Sequence, residues 1–316
     1  MENLVFSLNA TVPIFLMMVL GMLFRKLGWM DEEFAAKMNK FVFLIPLPVL
    51  LFGDLAKVDF KEVWNIKFVI FCFVVTFICI TIAALVSCIW KDRSIQGEFI
   101  QASYRSSAAL LGIAFIQNIY GSSAMGPLMI VSAVPLYNIF SVIVLTFEAN
   151  DSTGIDKKAK IRQAGINICK NPIILSILAG LIVGLLGIQF PTLVNKTVSN
   201  VAQMATPLAL ITIGAGFEGR KALAKIAPTM AASMIKLVLQ PLVFLPVAAW
   251  MGFSGEKMIA ILIMLASPTT PSCYIMAKSM NNDEVLTASV IVTTTLMAAF
   301  TLTGWIFLLK TLGYIG

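Results

Sequence analysis

Apolar runs of about 17 to 25 residues recur along this chain, each long enough for a helix to cross a bilayer. In lipid, every backbone N–H and C=O must be paired within the protein, so a chain built this way folds as helices. The runs are about Val5–Phe24, Asn39–Leu55, Phe68–Trp90, Phe99–Tyr120, Met125–Phe147, Pro172–Leu186, Val198–Phe217, Ala227–Trp250, Met258–Lys278 and Val285–Leu309. They predict ten transmembrane spans and an all-α integral membrane protein. Hydrophobic residues make up 59% of the chain and charged residues 12%, against about 25% charged in a soluble domain. The net charge of +7 sits in short loops between apolar runs. That pattern reads as topology and lipid contact, with no nucleic-acid partner. Met1–Ala10 lacks a basic stretch, so no cleaved signal peptide is expected.

Basic residues orient the spans. With an external N-terminus, only Lys57, Lys61, Lys67, Lys196, Lys257 and Lys310 lie outside. Arg105 and Lys236 fall within spans, and the rest of the 23 basic residues lie inside. The positive-inside rule then places both termini outside and the polar stretch 148–171 in the cytoplasm as a linker.

Within the ninth span stands Ser267-Pro268-Thr269-Thr270-Pro271-Ser272. Each proline removes a donor and clashes with the preceding turn, so the pair predicts a helix broken near mid-span. Broken helices of this kind mark substrate sites in secondary transporters; a kink healed by neighbouring Ser and Thr hydroxyls is the alternative. The two halves of the chain look alike. Leu47-Pro48-Val49-Leu50-Leu51-Phe52-Gly53 parallels Thr206-Pro207-Leu208-Ala209-Leu210-Ile211-Thr212-Ile213-Gly214, and Gly97-Glu98 parallels Gly255-Glu256. Five spans per half make the second half, 172–316, an inverted copy of the first, 1–147. The fourth span matches the ninth. It reads Tyr104-Arg105-Ser106-Ser107-Ala108 and reaches Gly112, with serines and glycine in place of proline. Two breaks crossing near the midplane would aim half-helix N-termini and short hydroxyls at an anion. The candidate substrate-binding residues are Arg105, Ser106, Ser107 and Gly112 from one half, and Lys236, Gln240, Ser267, Pro268, Thr269, Thr270 and Pro271 from the other.

Arg105 and Lys236 are costly in lipid and need a cavity or a partner. Either they serve a substrate anion, or they snorkel or pair with Glu98, Asp54 or Glu148. Lys236 and Gln240 share one helix face. The absence of histidine removes the commonest metal ligand and general base. Cys72, Cys79, Cys88, Cys169 and Cys273 form no CxxC and read as small buried hydrophobes. Gly180 and Gly184 form a GxxxG suited to close helix packing.

Together these features resemble the auxin efflux carrier family, which includes plant PIN carriers and bacterial malate and malonate permeases. The resemblance rests on ten spans with external termini, a cytoplasmic linker after the fifth span, and two short endings. These are Gln117-Asn118-Ile119-Tyr120-Gly121 after the fourth span and Ala277-Lys278 after the Ser-Pro-rich ninth. It implies the fold of the bile-acid sodium symporters, a 5+5 inverted repeat with spans 4 and 9 broken and crossing. Spans 1, 2, 6 and 7 would form a scaffold for a transport domain of spans 3, 4, 5, 8, 9 and 10. Two copies could pair through the scaffold helices. The family's fourth-span break carries asparagine and often proline, where this chain has Ser106 and Ser107. The implied function is elevator-type secondary transport of a small organic anion, such as malate, malonate or an auxin-like acid. A membrane-embedded sensor or enzyme is the alternative. No phosphate-binding GxxxxGK[ST] occurs, which disfavours an ATP-driven pump. No cofactor is expected, and coupling to a proton or sodium gradient stays open, with Asp54 and Glu148 as the carboxylates a proton would need.

Overall fold

Among the described residues, six helices are long and apolar enough to cross a membrane: Glu32–Ala56, Ile66–Ser87, Leu128–Phe147, Thr192–Gly216, Ile226–Trp250 and Glu284–Thr311. They belong to a computed structural model that describes residues 2–57, 65–108, 116, 125–148, 165–166, 169–282 and 284–315. No strand occurs among them. Gly112, the 117–121 stretch and most of the linker lie outside the described residues, as does the side chain of Glu148.

In chain order the helices are α1 (Glu2–Lys26), α2 (Glu32–Leu44), α3 (Pro46–Ala56), α4 (Ile66–Ser87), α5 (Gln96–Tyr104), α6 (Met125–Glu148) and α7 (Pro172–Leu186). They continue as α8 (Thr192–Gln203), α9 (Ala205–Gly216), α10 (Ile226–Trp250), α11 (Glu256–Ala266), α12 (Ser272–Ser279) and α13 (Glu284–Thr311). Two spans begin earlier than their apolar runs. The second starts at Glu32, where Asp31 caps the helix by accepting from the Phe34 N–H at 2.7 Å. Glu32 and Glu33 fill its first turn, where negative charge suits the helix dipole. The seventh starts at Thr192, ahead of Val198. Charged and polar first turns do not register as apolar runs, so hydropathy misses them.

Proline punctuates these spans. Ile45 separates α2 from α3 because the residue before Pro46 is driven out of helical geometry; its φ is −124° and ψ −73°. Pro207 leaves the Gln203 carbonyl without its helical donor, and the chain bends at Met204 between α8 and α9. In α10 the turn at Ile235–Leu239 widens into a π segment just before Pro241.

Two groups of helices emerge from the packing. In one, α3 lies on α7 and α8, and α1 and α2 lie on α9. In the other, α4, α5 and α6 pack together with α10 to α13. The groups meet where α1 lies against α13, α2 against α12 and α3 against α6. Glycines set the closest crossings. A methyl on Gly21 would strike the Ile211 carbonyl, and one on Gly214 would strike that of Met18, so α1 and α9 touch backbone to backbone. Gly180 of the GxxxG faces α3, where an added Cβ would sit 2.8 Å from the Phe52 carbonyl oxygen.

Every residue of α11 from Met258 to Ala266 is buried, and so is every residue of α5 from Gly97 to Tyr104. α11 from Met258 is apolar on all sides and belongs inside a protein, while α5 buries Glu98, Gln101 and Ser103 against hydrogen-bond partners; both are wrapped by the second group. Phe73, Phe77, Leu175, Leu178, Phe300 and Phe307 instead face outward, as lipid-facing side chains do. Of the cysteines, Cys72, Cys79 and Cys273 are buried as expected, while Cys88 and Cys169 are exposed; all five thiols are free.

Candidate functional site

α5 stops at Tyr104, and Arg105 turns to extended geometry with φ −73° and ψ 130°. α11 stops at Ala266, Ser267 is extended with φ −71° and ψ 156°, and helix resumes at Ser272. The two interruptions touch: the Ser107 N–H donates to the Pro268 carbonyl at 2.9 Å.

A helix that ends inside a protein leaves up to four carbonyls without intrahelical donors. In α5 each has a named partner. The Gln101 carbonyl accepts from the Arg105 N–H at 3.1 Å. That of Ala102 accepts from Thr269 Oγ1 at 2.8 Å, and that of Ser103 from Gln240 Nε2 at 2.9 Å. That of Tyr104 accepts from Lys236 Nζ at 3.0 Å. In α11 the Met264 carbonyl accepts from Tyr137 Oη at 3.2 Å and Lys236 Nζ at 3.4 Å, and also from Ser106 Oγ. Lys236 Nζ donates to Ser106 Oγ as well. The Thr269 N–H finds Thr294 Oγ1 at 3.1 Å. The breaks persist because the side chains of Ser106, Tyr137, Lys236, Gln240 and Thr269 replace the helical donors that proline and the extended residues removed.

Arg105 is 2% exposed. Its Nη2 donates to Asn138 Oδ1 at 2.9 Å and Ser272 Oγ at 2.7 Å; its Nη1 donates to Ser141 Oγ at 3.2 Å and contacts Met276 Sδ at 2.9 Å. Nε has no partner. Asn138 is held in place by donating its own Nδ2 to the Val134 carbonyl at 2.9 Å, and Ser141 also meets Tyr104 Oη at 2.8 Å. Among the described residues no carboxylate pairs with Arg105 or Lys236. Neither side chain snorkels. Glu98 instead accepts from the Thr287 N–H at 3.3 Å and Thr287 Oγ1 at 3.1 Å.

A cavity of about 60 Å³ opens beside the crossing. Arg105, Ser106, Ser107, Tyr137, Asn138, Thr270, Pro271 and Ser272 line one wall, and Leu47, Leu51, Asp54, Thr206 and Ala209 line the other. A wider cavity of about 430 Å³ adjoins it, bounded by Asp54, Lys57, Ser199, Gln203 and Pro207. Leu50, Asp54 and Thr206 belong to both.

The candidate residues thus divide. Arg105, Ser106, Ser107, Thr270 and Pro271 border the small cavity. Lys236, Gln240, Ser267, Pro268 and Thr269 do not; they stand behind it. Lys236, Gln240 and Thr269 hold helix-end carbonyls, and Pro268 accepts from Ser107. Ser107 Oγ and Ser267 Oγ are buried without a hydrogen-bond partner. Asn138 and Ser141 escaped the sequence reading, and Ser272, a hydroxyl of the broken ninth span, was not among the candidate binding residues. Asn138 carried a usable signal, since an amide inside an apolar run needs a polar partner.

A family model described as "Membrane transport protein" matches residues 6–306. The "Uncharacterized transporter YfdV" of Escherichia coli (strain K12) is 23% identical over 292 residues, covering 88% of this chain and 90% of that protein. The "Putative malonate transporter" of Rhizobium meliloti (strain 1021) is 22% identical over 306 residues, covering 95% of this chain and 94% of that one. An "Uncharacterized transporter" of Methanothermobacter thermautotrophicus is 22% identical over 310 residues, covering 95% and 97%. A match of this length, on a helical chain with membrane-spanning segments, makes the protein a member of the membrane transport protein family, the auxin efflux carriers that its sequence resembles.

Proposed function

We propose that this chain is a secondary carrier of small organic anions, with dicarboxylates such as malonate and malate as the first substrates to test. One observation carries the reading. The buried guanidinium of Arg105 has no carboxylate partner among the described residues and lines a cavity where two interrupted helices meet. A buried charge that only neutral groups face is destabilising, and a bound carboxylate supplies the missing charge. Ser106, Ser107, Thr270 and Ser272 add short polar groups at the same wall. The relative named as a malonate transporter supports this substrate class.

The ten-span 5+5 inverted repeat is the fold proposed here, with α5 leading to one break and α11–α12 flanking the other. The small cavity lies between the α3/α9 group and the α5/α6/α12 group. A substrate seated there is held between two bodies that can slide past each other, which is the arrangement an elevator carrier uses. With Lys57 external, as the basic residues require, the wider cavity is the outer vestibule and this conformation faces outward. The carrier sits in the cell membrane with both termini extracytoplasmic.

The test is uptake of radiolabelled malonate and malate by vesicles reconstituted with the full chain. Arg105→Gln removes the charge and keeps a donor. It should cut uptake at low substrate by about tenfold or more, the worth of a charge-assisted hydrogen bond. Uptake of neither acid under any imposed gradient, or an Arg105→Gln protein that transports like the original, rejects the reading.

A further inference from the structure

Lys236 is fully buried, yet its ammonium faces only neutral oxygens. They are the Tyr104 carbonyl at 3.0 Å, the Met264 carbonyl at 3.4 Å and Ser106 Oγ. Tyr104 is the last residue of α5, and Met264 lies in the last turn of α11. Both carbonyls therefore stand at the negative ends of half-helices that stop inside the protein. An ammonium has three donors and no acceptor, and here each donor has one oxygen within reach. Half-helix C-termini and unwound carbonyls are the groups with which membrane carriers hold a free monovalent cation. Lys236 reaches them from the π segment of α10 and does not border the cavity of Arg105.

We infer that the Lys236 ammonium is a tethered cation occupying a monovalent-cation site at the crossing of the two breaks. The inference deepens the carrier reading and rests on it for its transport arm. The cation is supplied by the side chain itself, so neither sodium nor potassium is needed to assemble the crossing or to load substrate. Removing the side chain leaves three converging oxygens around a space of ammonium size. That vacated cage takes an alkali cation.

The purified full chain is melted in detergent in sodium chloride, potassium chloride or choline chloride at equal ionic strength. The wild-type chain should melt at the same temperature in all three. Lys236→Ala, and Lys236→Ser as a second small variant, should melt several degrees lower in choline and recover with sodium or potassium, because a ligand bound only by the folded state raises its stability. In vesicles, wild-type malonate uptake should be unchanged when choline replaces sodium and potassium, while the variants should need an alkali cation. A wild-type chain stabilised or driven by sodium overturns the inference. So do variants that melt alike in all three salts, or that fail to fold in every salt. Absence of carboxylate uptake by the wild-type chain in all salts rejects the carrier reading alone, because the melting comparison still decides whether the cage takes a cation.

Discussion

At the scale of single residues, the site turns on how few charges are buried and what each one faces. Arg105 meets an amide oxygen, two hydroxyls and a thioether, none of which neutralises it. Lys236 meets carbonyls and a hydroxyl. The two cations in the apolar spans therefore differ in role through position alone: one borders space, the other fills it. Asp54 is the carboxylate that lines both cavities, and its Oδ2 is buried without a hydrogen-bond partner. Arg105 shares the small cavity with it, and Lys57 lies at the end of its own helix beside the wide one. An ionised Asp54 on the entry path repels a carboxylate substrate, and a proton there relieves the repulsion. Asp54→Asn should therefore leave malonate exchange intact and make net uptake insensitive to an imposed pH gradient. A variant that keeps the full pH-gradient response removes Asp54 as the coupling group.

At the scale of elements, the interruptions are held open by side chains from elsewhere. The last four α5 carbonyls are satisfied by the Arg105 backbone, Thr269, Gln240 and Lys236. Apart from the Arg105 N–H, those partners come from the Pro-rich break and from Lys236 and Gln240 of α10, so α5, α10 and the α11–α12 break form one hydrogen-bonded assembly. The double substitution Pro268→Ala, Pro271→Ala restores two N–H donors and favours a continuous helix by propensity. Closing that helix would withdraw Thr269 from the Ala102 carbonyl and the Pro268 carbonyl from Ser107. Malonate uptake should fall at least tenfold while the protein still folds; a double variant that transports at the original rate reduces the break to a kink. The α1–α9 crossing is a second tight element. Gly214→Val should lower the detergent melting temperature, since overpacking against backbone costs about 1–3 kcal/mol. An unchanged melting temperature means the two helices separate freely.

At the scale of the whole molecule, two helix groups enclose the site between them. The α1–α3 and α7–α9 group contributes Leu51, Asp54, Thr206 and Ala209, and the other group contributes Arg105 and the break residues. Motion of one group against the other would carry Arg105 and its bound anion away from Asp54 and the wide cavity. In the proposed carrier, the topology expected from the basic residues would give that movement its direction relative to the membrane. Single cysteines placed between Asp156 and Arg162, in a background lacking Cys88 and Cys169, should react with thiol reagents only from the cytoplasmic face. Labelling from outside inverts the topology and makes the wide cavity an inward vestibule.

The membrane class, the helical architecture and the helix break at Pro268 and Pro271 were legible in the sequence, because each follows from local chemistry. Lipid offers no backbone partners, and proline offers no donor. Local chemistry also flagged Arg105 and Lys236, since a charge inside an apolar run must meet something polar. What each would meet was not legible. Their partners come from distant segments: Asn138, Ser141 and Ser272 for Arg105, and Tyr104, Ser106 and Met264 for Lys236. The earlier starts at Glu32 and Thr192 escaped because their first turns are charged or polar and lie outside any apolar run. Which candidate borders a cavity and which holds a carbonyl depends on how α5, α6, α10 and α12 pack around the crossing. That packing is a long-range outcome, and only the tertiary structure decided it.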